Sequence, residues 1–332
     1  MEIKGYSLED VWTAAAREVV FSGEKRAPRG IKTRELVGMQ LIVENPRCRV
    51  PRLPVREFSL AYAMGELAWY AAADDSLEFI KYYAPSYGKY SDDGKRLHGA
   101  YGPRVFGWLP GSTHDDHESC WSRCADILKR DPDSRQAVIP LYRPDDVGAV
   151  TKDMPCTLSL QFLIRNDQLN LVVNMRSNDL WFGGVYDIFC FTALQELMAN
   201  ALQVPVGTYY HHVGSFHLYE KNLEDIQRCL DASDNEILRA PLPYAIRTDD
   251  SIPNLLQLER TIRLDSPVHS LEKLCVLLED WPSIPTLWQL SVAAWRWKKI
   301  NGSSEIKEEQ RRYVRGLLQD RVGTILFDRC FC

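Results

Sequence analysis

The sequence predicts an α+β protein on three observations. Residues 7–19, 58–70 and 187–202 carry apolar positions at the spacing of buried helix faces. Strand-like runs lie at 36–43, 137–142, 157–164, 169–175 and 208–213. From about residue 255 onward the pattern is mostly helical. With 332 residues, 45% of them hydrophobic, the chain can bury one large core.

Taken in order, Ser7 followed by Glu9 and Asp10 marks a helix start, and Val11, Ala14, Ala15 and Val19 form the apolar face behind it. The basic Gly/Pro stretch 25–32 reads as a solvated connection. Residues 36–43 end in Glu44-Asn45-Pro46, a strand stopped by a turn. Within 58–70, Leu60, Met64, Leu67 and Ala68 line one helical face, and the run holds a single carboxylate, Glu66. If buried, such a group must be paired, protonated or functional; a solvent-facing Glu is the commoner case. Asp131-Pro132-Asp133-Ser134-Arg135 is a turn into the strand 137–142. The runs 157–164 and 169–175, joined by a polar turn at 165–168, form a hairpin. The helix 187–202 closes at Val204-Pro205-Val206-Gly207, before the strand 208–213. Trp281, Trp288, Trp295 and Trp297 stud the helical end.

The net charge of −5 argues against a protein that coats nucleic acid, since binding a phosphate backbone needs a clustered cationic surplus. A small anionic ligand needs only a few local arginines. No apolar stretch follows Met1, so neither a signal peptide nor a membrane span is expected, and a cytoplasmic location is. Nine cysteines without paired spacing fit reduced thiols.

The segment 176–187 is the most informative. Arg176-Ser177 is an anion-binding pair, Asp179 a carboxylate and Gly183-Gly184 a break, so the segment reads as a ligand-contacting loop. Cys156, after Pro155 at the mouth of a strand, is a nucleophile if a cation activates it and a small core residue otherwise. His217 and Tyr219 lie on one side of a strand and can both reach a ligand hydroxyl, or can form a structural pair. His114, His117, Cys120 and Cys124 suggest zinc by spacing, but they read as a polar loop feeding a helix, and no metal is expected. Lys298, Lys299, Lys307, Arg311 and Arg312 read as wet faces of terminal helices.

In order, Gly65-Glu66-Leu67-Ala68-Trp69, Tyr101-Gly102-Pro103, Asp131 to Arg135, Pro155-Cys156, Arg176-Ser177-Asn178-Asp179 and His217-Leu218-Tyr219 resemble the thymidylate synthase family and its sister pyrimidine-nucleotide hydroxymethylases, over roughly residues 7–225. The resemblance implies a mixed β-sheet with flanking helices and a helical C-terminal segment. It divides the chain into a catalytic domain at 1–240 and an extension at 241–332 packed on the same domain. It also implies a homodimer, a nucleotide monophosphate substrate and 5,10-methylenetetrahydrofolate. Cys156 would add to C6 of the pyrimidine, with Arg176, Ser177 and Arg29 on the 5′-phosphate and Arg135 reaching the phosphate of the neighbouring subunit. His217 and Tyr219 would bind the sugar 3′-hydroxyl. Glu66 would organise water and proton transfer, Tyr101 would form the active-site wall, Asp179 would face base and folate, and Trp69 would contact the folate.

Several positions depart from the synthase pattern: Thr157 for a histidine, Gln136 for a second arginine, Gly184-Val185 for Leu-Pro, and a tail without the synthase ending. The decisive departure is Asp187, where synthases carry asparagine. Uracil shows a donor at N3 and an acceptor at O4, which an amide matches; cytosine reverses both, which suits a protonated carboxyl. An unmatched buried donor or acceptor costs about 1–3 kcal/mol. The expectation is a cytidylate 5-hydroxymethylase, on dCMP or CMP, with a divergent thymidylate synthase and a non-catalytic nucleotide-binding relative as alternatives.

Overall fold

The computed structural model describes residues 1–53, 55–56, 58–107, 109, 118–233 and 251–265. Ser7 caps α1 (Leu8–Ser22) through a capping box: its hydroxyl accepts from the Asp10 N–H, and the Asp10 carboxylate accepts from the Ser7 N–H at 3.0 Å. The buried stripe is Leu8, Val11, Trp12, Ala15, Ala16 and Val19, while Ala14, placed on it from sequence, faces solvent. The Trp12 indole N–H donates to the Leu180 carbonyl at 2.9 Å, which ties α1 to the segment just after β6 (Gln168–Asp179).

A seven-stranded mixed sheet carries the fold, in the order β1 (Glu2–Gly5), β3 (Thr33–Val43), β7 (Val206–Tyr219), β6 (Gln168–Asp179), β5 (Thr157–Arg165) and β4 (Val138–Pro140), with β2 (Glu24–Arg26) also paired to β3. The expected hairpin is β5–β6, turned at Asn166 and Asp167, both with positive φ. β6 and β7 are parallel, joined through α6 (Gly183–Ala201), which is buried on every side from Ile188 to Ala199. A helix apolar all round belongs in a core.

The inner face of β6 alternates through Leu169, Leu171, Val173 and Met175, and that of β7 through Tyr209, His211 and Val213. Both then change phase at one level, so that Asn178 in β6 and Phe216 and Leu218 in β7 become the buried residues. In β3 the same level holds Gly38, φ +70, between Val37 opposite Ser215 and Met39 opposite Val213. Beyond this kink lie Ser177, Asp179, His217 and Tyr219, at the end of the sheet where α6 begins.

Against α6 packs α2 (Leu60–Ala71), followed along the chain by α3 (Leu77–Tyr83), α4 (Gly102–Val105) and α5 (Cys120–Arg130), while α7 (Leu223–Ser233) comes after β7. A Cβ at Gly65 would lie 2.3 Å from the Tyr83 ring, so only glycine allows this approach. Two fully buried ion pairs brace the periphery, Arg104–Asp146 and Arg49–Glu196, each at 2.5 Å. In α8 (Ser251–Arg260), Leu255 and Leu258 are buried and the Glu259 carboxylate accepts from the Tyr83 hydroxyl at 2.7 Å. The boundary drawn at residue 240, the Trp-rich stretch and the terminal basic residues lie outside the described residues. No helix among the described residues is long and apolar enough to cross a membrane.

Candidate active site

Cys156 sits immediately before β5 with its thiol partly exposed. Arg176 is clamped beside it: Nε donates to the Pro155 carbonyl at 2.8 Å, Nη2 to the Met154 carbonyl at 3.0 Å, and Nη2 lies 3.6 Å from Sγ. Nη1 makes no hydrogen bond among the described residues, and so remains available to an anion. Burial pushes the thiol up to about 11, with the Arg176 charge pulling against it and the carboxyls of Asp187 and Asp153 adding to the rise. The resting nucleophile is therefore a thiol and must lose its proton as it attacks. Tyr101 flanks it, its hydroxyl accepting from the Thr157 N–H at 3.2 Å.

Register brings the other sequence candidates together. Ser177 pairs with Ser215, and Asp179 with His217, across the parallel β6–β7 ladder. The Asp179 carboxylate accepts from the backbone N–H groups of Trp181 at 3.2 Å and Phe182 at 2.9 Å, fixing the turn into α6. His217 Nδ1 lies 3.3 Å from the Ser215 carbonyl oxygen, and the ring stands edge-on to Tyr219, 5.3 Å between centroids. Burial raises the Tyr219 phenol, Asp179 adds to this, and Arg29 pulls it back. Arg29 itself is exposed, at φ 55 and ψ 29 in a short turn, and its charge is felt at both Cys156 and Tyr219. The stretch that reads from composition as a solvated connection thus also faces the site. Arg135 stands apart, exposed on the turn ahead of β4, and its side chain bonds to none of the described residues.

Glu66 is buried at the centre of α2. Its Oε1 accepts from the hydroxyls of Tyr62 at 2.8 Å and Tyr87 at 2.9 Å, and Oε2 from the Cys190 thiol at 3.7 Å. Burial raises its carboxyl, and these three donors hold the rise back. Asp187, one turn into α6, keeps a partly open surface, and its Oδ2 accepts from Asn178 Nδ2 at 2.7 Å. Burial raises this carboxyl well above the ordinary range, Glu66 and Asp179 raise it further, and only the Asn178 bond opposes them. Of the two carboxyls Asp187 is raised the more strongly, with one opposing hydrogen bond where Glu66 has three. Trp69 is buried behind Tyr87 and Tyr70, its indole N–H without a partner among the described residues.

Two readings of the 176–187 segment need correction. Its first four residues are not loop: they complete β6, held by β7, a pairing that no local pattern reveals. Gly183-Gly184 is no break either, but the first turn of α6. A Cβ at Gly183 would lie 3.0 Å from Asn178 Nδ2 and 3.2 Å from Asp187 Oδ2, and one at Gly184 3.2 Å from Asn178 Oδ1. The glycines make room for the Asn178–Asp187 pair. Sequence reasoning also missed Tyr62, Tyr87 and Asn178, and it missed Arg56, whose guanidinium lies 5.1–5.8 Å from the rings of Tyr186, Trp181 and Phe182. His114 and His117 lie outside the described residues.

The family model for thymidylate synthase matches residues 10–252. The chain belongs to the thymidylate synthase family. Among curated relatives, the deoxyuridylate hydroxymethyltransferase of Bacillus phage SP01 is 34% identical over 221 residues, 63% of this chain and 58% of the relative. That of Delftia phage PhiW-14 is 31% identical over 202 residues, 56% of this chain and 54% of the relative. The chain thus spans a little over half the length of the curated relatives it matches. Thermostable thymidylate synthase A from Bacillus subtilis shares the fold, with a TM-score of 0.57 at 20% identity over 67% of this chain and 84% of that one. The relatives' names carry deoxyuridylate, not the cytidylate that the sequence predicts from Asp187.

Proposed function

We propose that this chain is a folate-dependent pyrimidine-nucleotide 5-hydroxymethylase acting on cytidylate, dCMP or CMP. The observation that carries the choice of base is Asp187: a carboxyl held neutral offers one donor and one acceptor, the complement of cytosine N3 and N4. The phosphate would bind at the free Nη1 of Arg176 with Ser177 and Arg29, and the sugar at His217 and Tyr219. Cys156 would add to C6 beside the Arg176 charge, which favours the departing thiol proton. Glu66, held by two tyrosines, would order the water that completes the hydroxymethyl group, and Tyr101 would wall the ring.

Two residues fit a folate. Asp179 is partly exposed, and each of its oxygens accepts one backbone bond and has a lone pair left for a ring donor; Trp69 has an unpartnered buried N–H. 5,10-Methylenetetrahydrofolate supplies a one-carbon unit at the oxidation level of formaldehyde. A second copy of the chain would cover the sheet face away from α6, where Gln40, Asn170, Val172, Thr208, Tyr210 and His212 line a shallow depression, with Arg135 reaching the partner's phosphate site.

The names of the phage relatives favour a second reading, the same chemistry on deoxyuridylate. The test is to incubate the protein with methylenetetrahydrofolate and each of dCMP, CMP and dUMP, reading product mass and folate product. Hydroxymethylated cytidylate with tetrahydrofolate is expected, and Cys156→Ser should abolish it. Preferred conversion of dUMP would overturn the cytidylate reading, and dihydrofolate would overturn the hydroxymethylase reading.

A further inference from the structure

Behind Asp187 runs a chain of hydrogen bonds that none of the roles above uses. The Tyr209 hydroxyl lies 2.8 Å from His211 Nδ1, His211 Nε2 lies 3.1 Å from Asn178 Oδ1, and Asn178 Nδ2 lies 2.7 Å from Asp187 Oδ2. Tyr209 and His211 are wholly buried and Asn178 nearly so. Such a chain can be polarised in two directions. Running outward, tyrosine donates to Nδ1, Nε2–H donates to the amide oxygen and the amide N–H to Oδ2. Running inward, the Asn178 amide is turned over so that its oxygen accepts from Asp187 Oδ2 and its N–H donates to His211 Nε2, and His211 Nδ1–H donates to the phenol oxygen.

Tyr209 decides between them. Its only hydrogen-bond partner among the described residues is His211, so in the inward direction His211 Nδ1–H would fill the phenol oxygen and leave the phenol proton buried without an acceptor, at a cost of about 1–3 kcal/mol. The outward direction satisfies every member. It also requires a neutral imidazole, and burial lowers His211 to about 3. With Oδ2 held as an acceptor, the proton of the neutral carboxyl sits on Oδ1. The side chain then behaves like an amide with a fixed orientation, one oxygen donating and the other accepting. Free to rotate or to move its proton, a neutral carboxyl would match cytosine in one arrangement and uracil in the other.

We propose that Tyr209, His211 and Asn178 are positioning residues that fix the polarity of Asp187, and that this polarity, rather than the carboxyl alone, sets the preference between cytosine and uracil. Gly183 and Gly184 belong to the same device, since side chains there would crowd the Asn178 amide. The proposal rests on the reading that Asp187 meets the base, but not on which base is preferred.

The experiment measures kcat/KM for dCMP and dUMP, with methylenetetrahydrofolate, in wild type, Asn178→Leu and Tyr209→Phe. The ratio of the preferred to the other base should move toward one by about tenfold in Asn178→Leu, the value of one buried hydrogen bond, and by about threefold in Tyr209→Phe, where His211 is freed to take either tautomer. A merely structural defect would lower both substrates alike and leave the ratio unchanged. Tyr209→Phe removes a single oxygen and serves as the test if Asn178→Leu does not fold. A ratio within about twofold of wild type in Tyr209→Phe and in any folded Asn178→Leu overturns the relay, as does a wild type that does not discriminate. A wild type that prefers dUMP, with the ratio still moved by the variants, supports the relay and overturns only the cytidylate reading.

Discussion

Two regions of this molecule hold carboxyl groups inside the fold and treat them oppositely. At the periphery, Asp146 meets Arg104 through two bonds, at 2.5 and 2.9 Å, with the Arg143 N–H at 2.7 Å, and Glu196 meets Arg49 at 2.5 Å. Burial alone would push Asp146 up, but the hydrogen bonds from Arg104, the Arg143 N–H and His98 outweigh it and hold the carboxyl well below its ordinary range. In the pocket, Glu66 and Asp187 receive bonds from tyrosine, thiol and amide groups, and no cation bonds to either among the described residues. Asp146 is held as an ion, and both pairs serve the fold. Burial instead raises both pocket carboxyls, a perturbation that clusters at functional sites.

Removing the Glu66 carboxyl should have the largest effect. Glu66→Gln keeps its size and should lower turnover by about 10²–10⁴-fold, the range for a group that manages proton transfer, while the melting temperature changes little. Turnover close to wild type would place Glu66 with the structural carboxyls. Breaking a paired group should do the reverse: Arg104→Leu leaves Asp146 buried without its arginine, and should cost about 3–5 kcal/mol in denaturant unfolding without changing the base preference of the folded fraction. A smaller effect of opposite sign is expected for Asp187→Asn. The folded carboxyl titrates above its unfolded value, so wild type loses stability as pH rises through and beyond the ordinary carboxylate range. The variant should therefore melt higher at pH 7, and the gap should close as pH falls below about 4. A variant that melts lower at pH 7 would show that Asp187 is stabilised as an ion.

Much of this was legible in sequence because its causes are local. The Ser7 box, the hairpin and the faces of α1 and α2 follow from residues within a few positions of one another. The isolated Glu66 was visible as one carboxylate in an apolar run, but its donors were not, since Tyr62 lies one turn away among ordinary helix residues and Tyr87 comes from beyond α3. Tyr209 and His211 read only as part of a strand. Their spacing, two apart on one face, matches that of His217 and Tyr219, yet nothing local shows that their inner side meets Asn178. Gly183-Gly184 misled because glycine disfavours helices, and the reason for it there is the steric demand of a neighbouring strand.

The proposed reading of the base requires Asp187 to stand neutral in the folded protein at neutral pH, ready to donate to the ring. Difference infrared spectroscopy of wild type against Asp187→Asn at pH 7 reads it directly. The variant should lack a protonated-carboxyl carbonyl band that wild type has. Loss of a carboxylate band instead would contradict it.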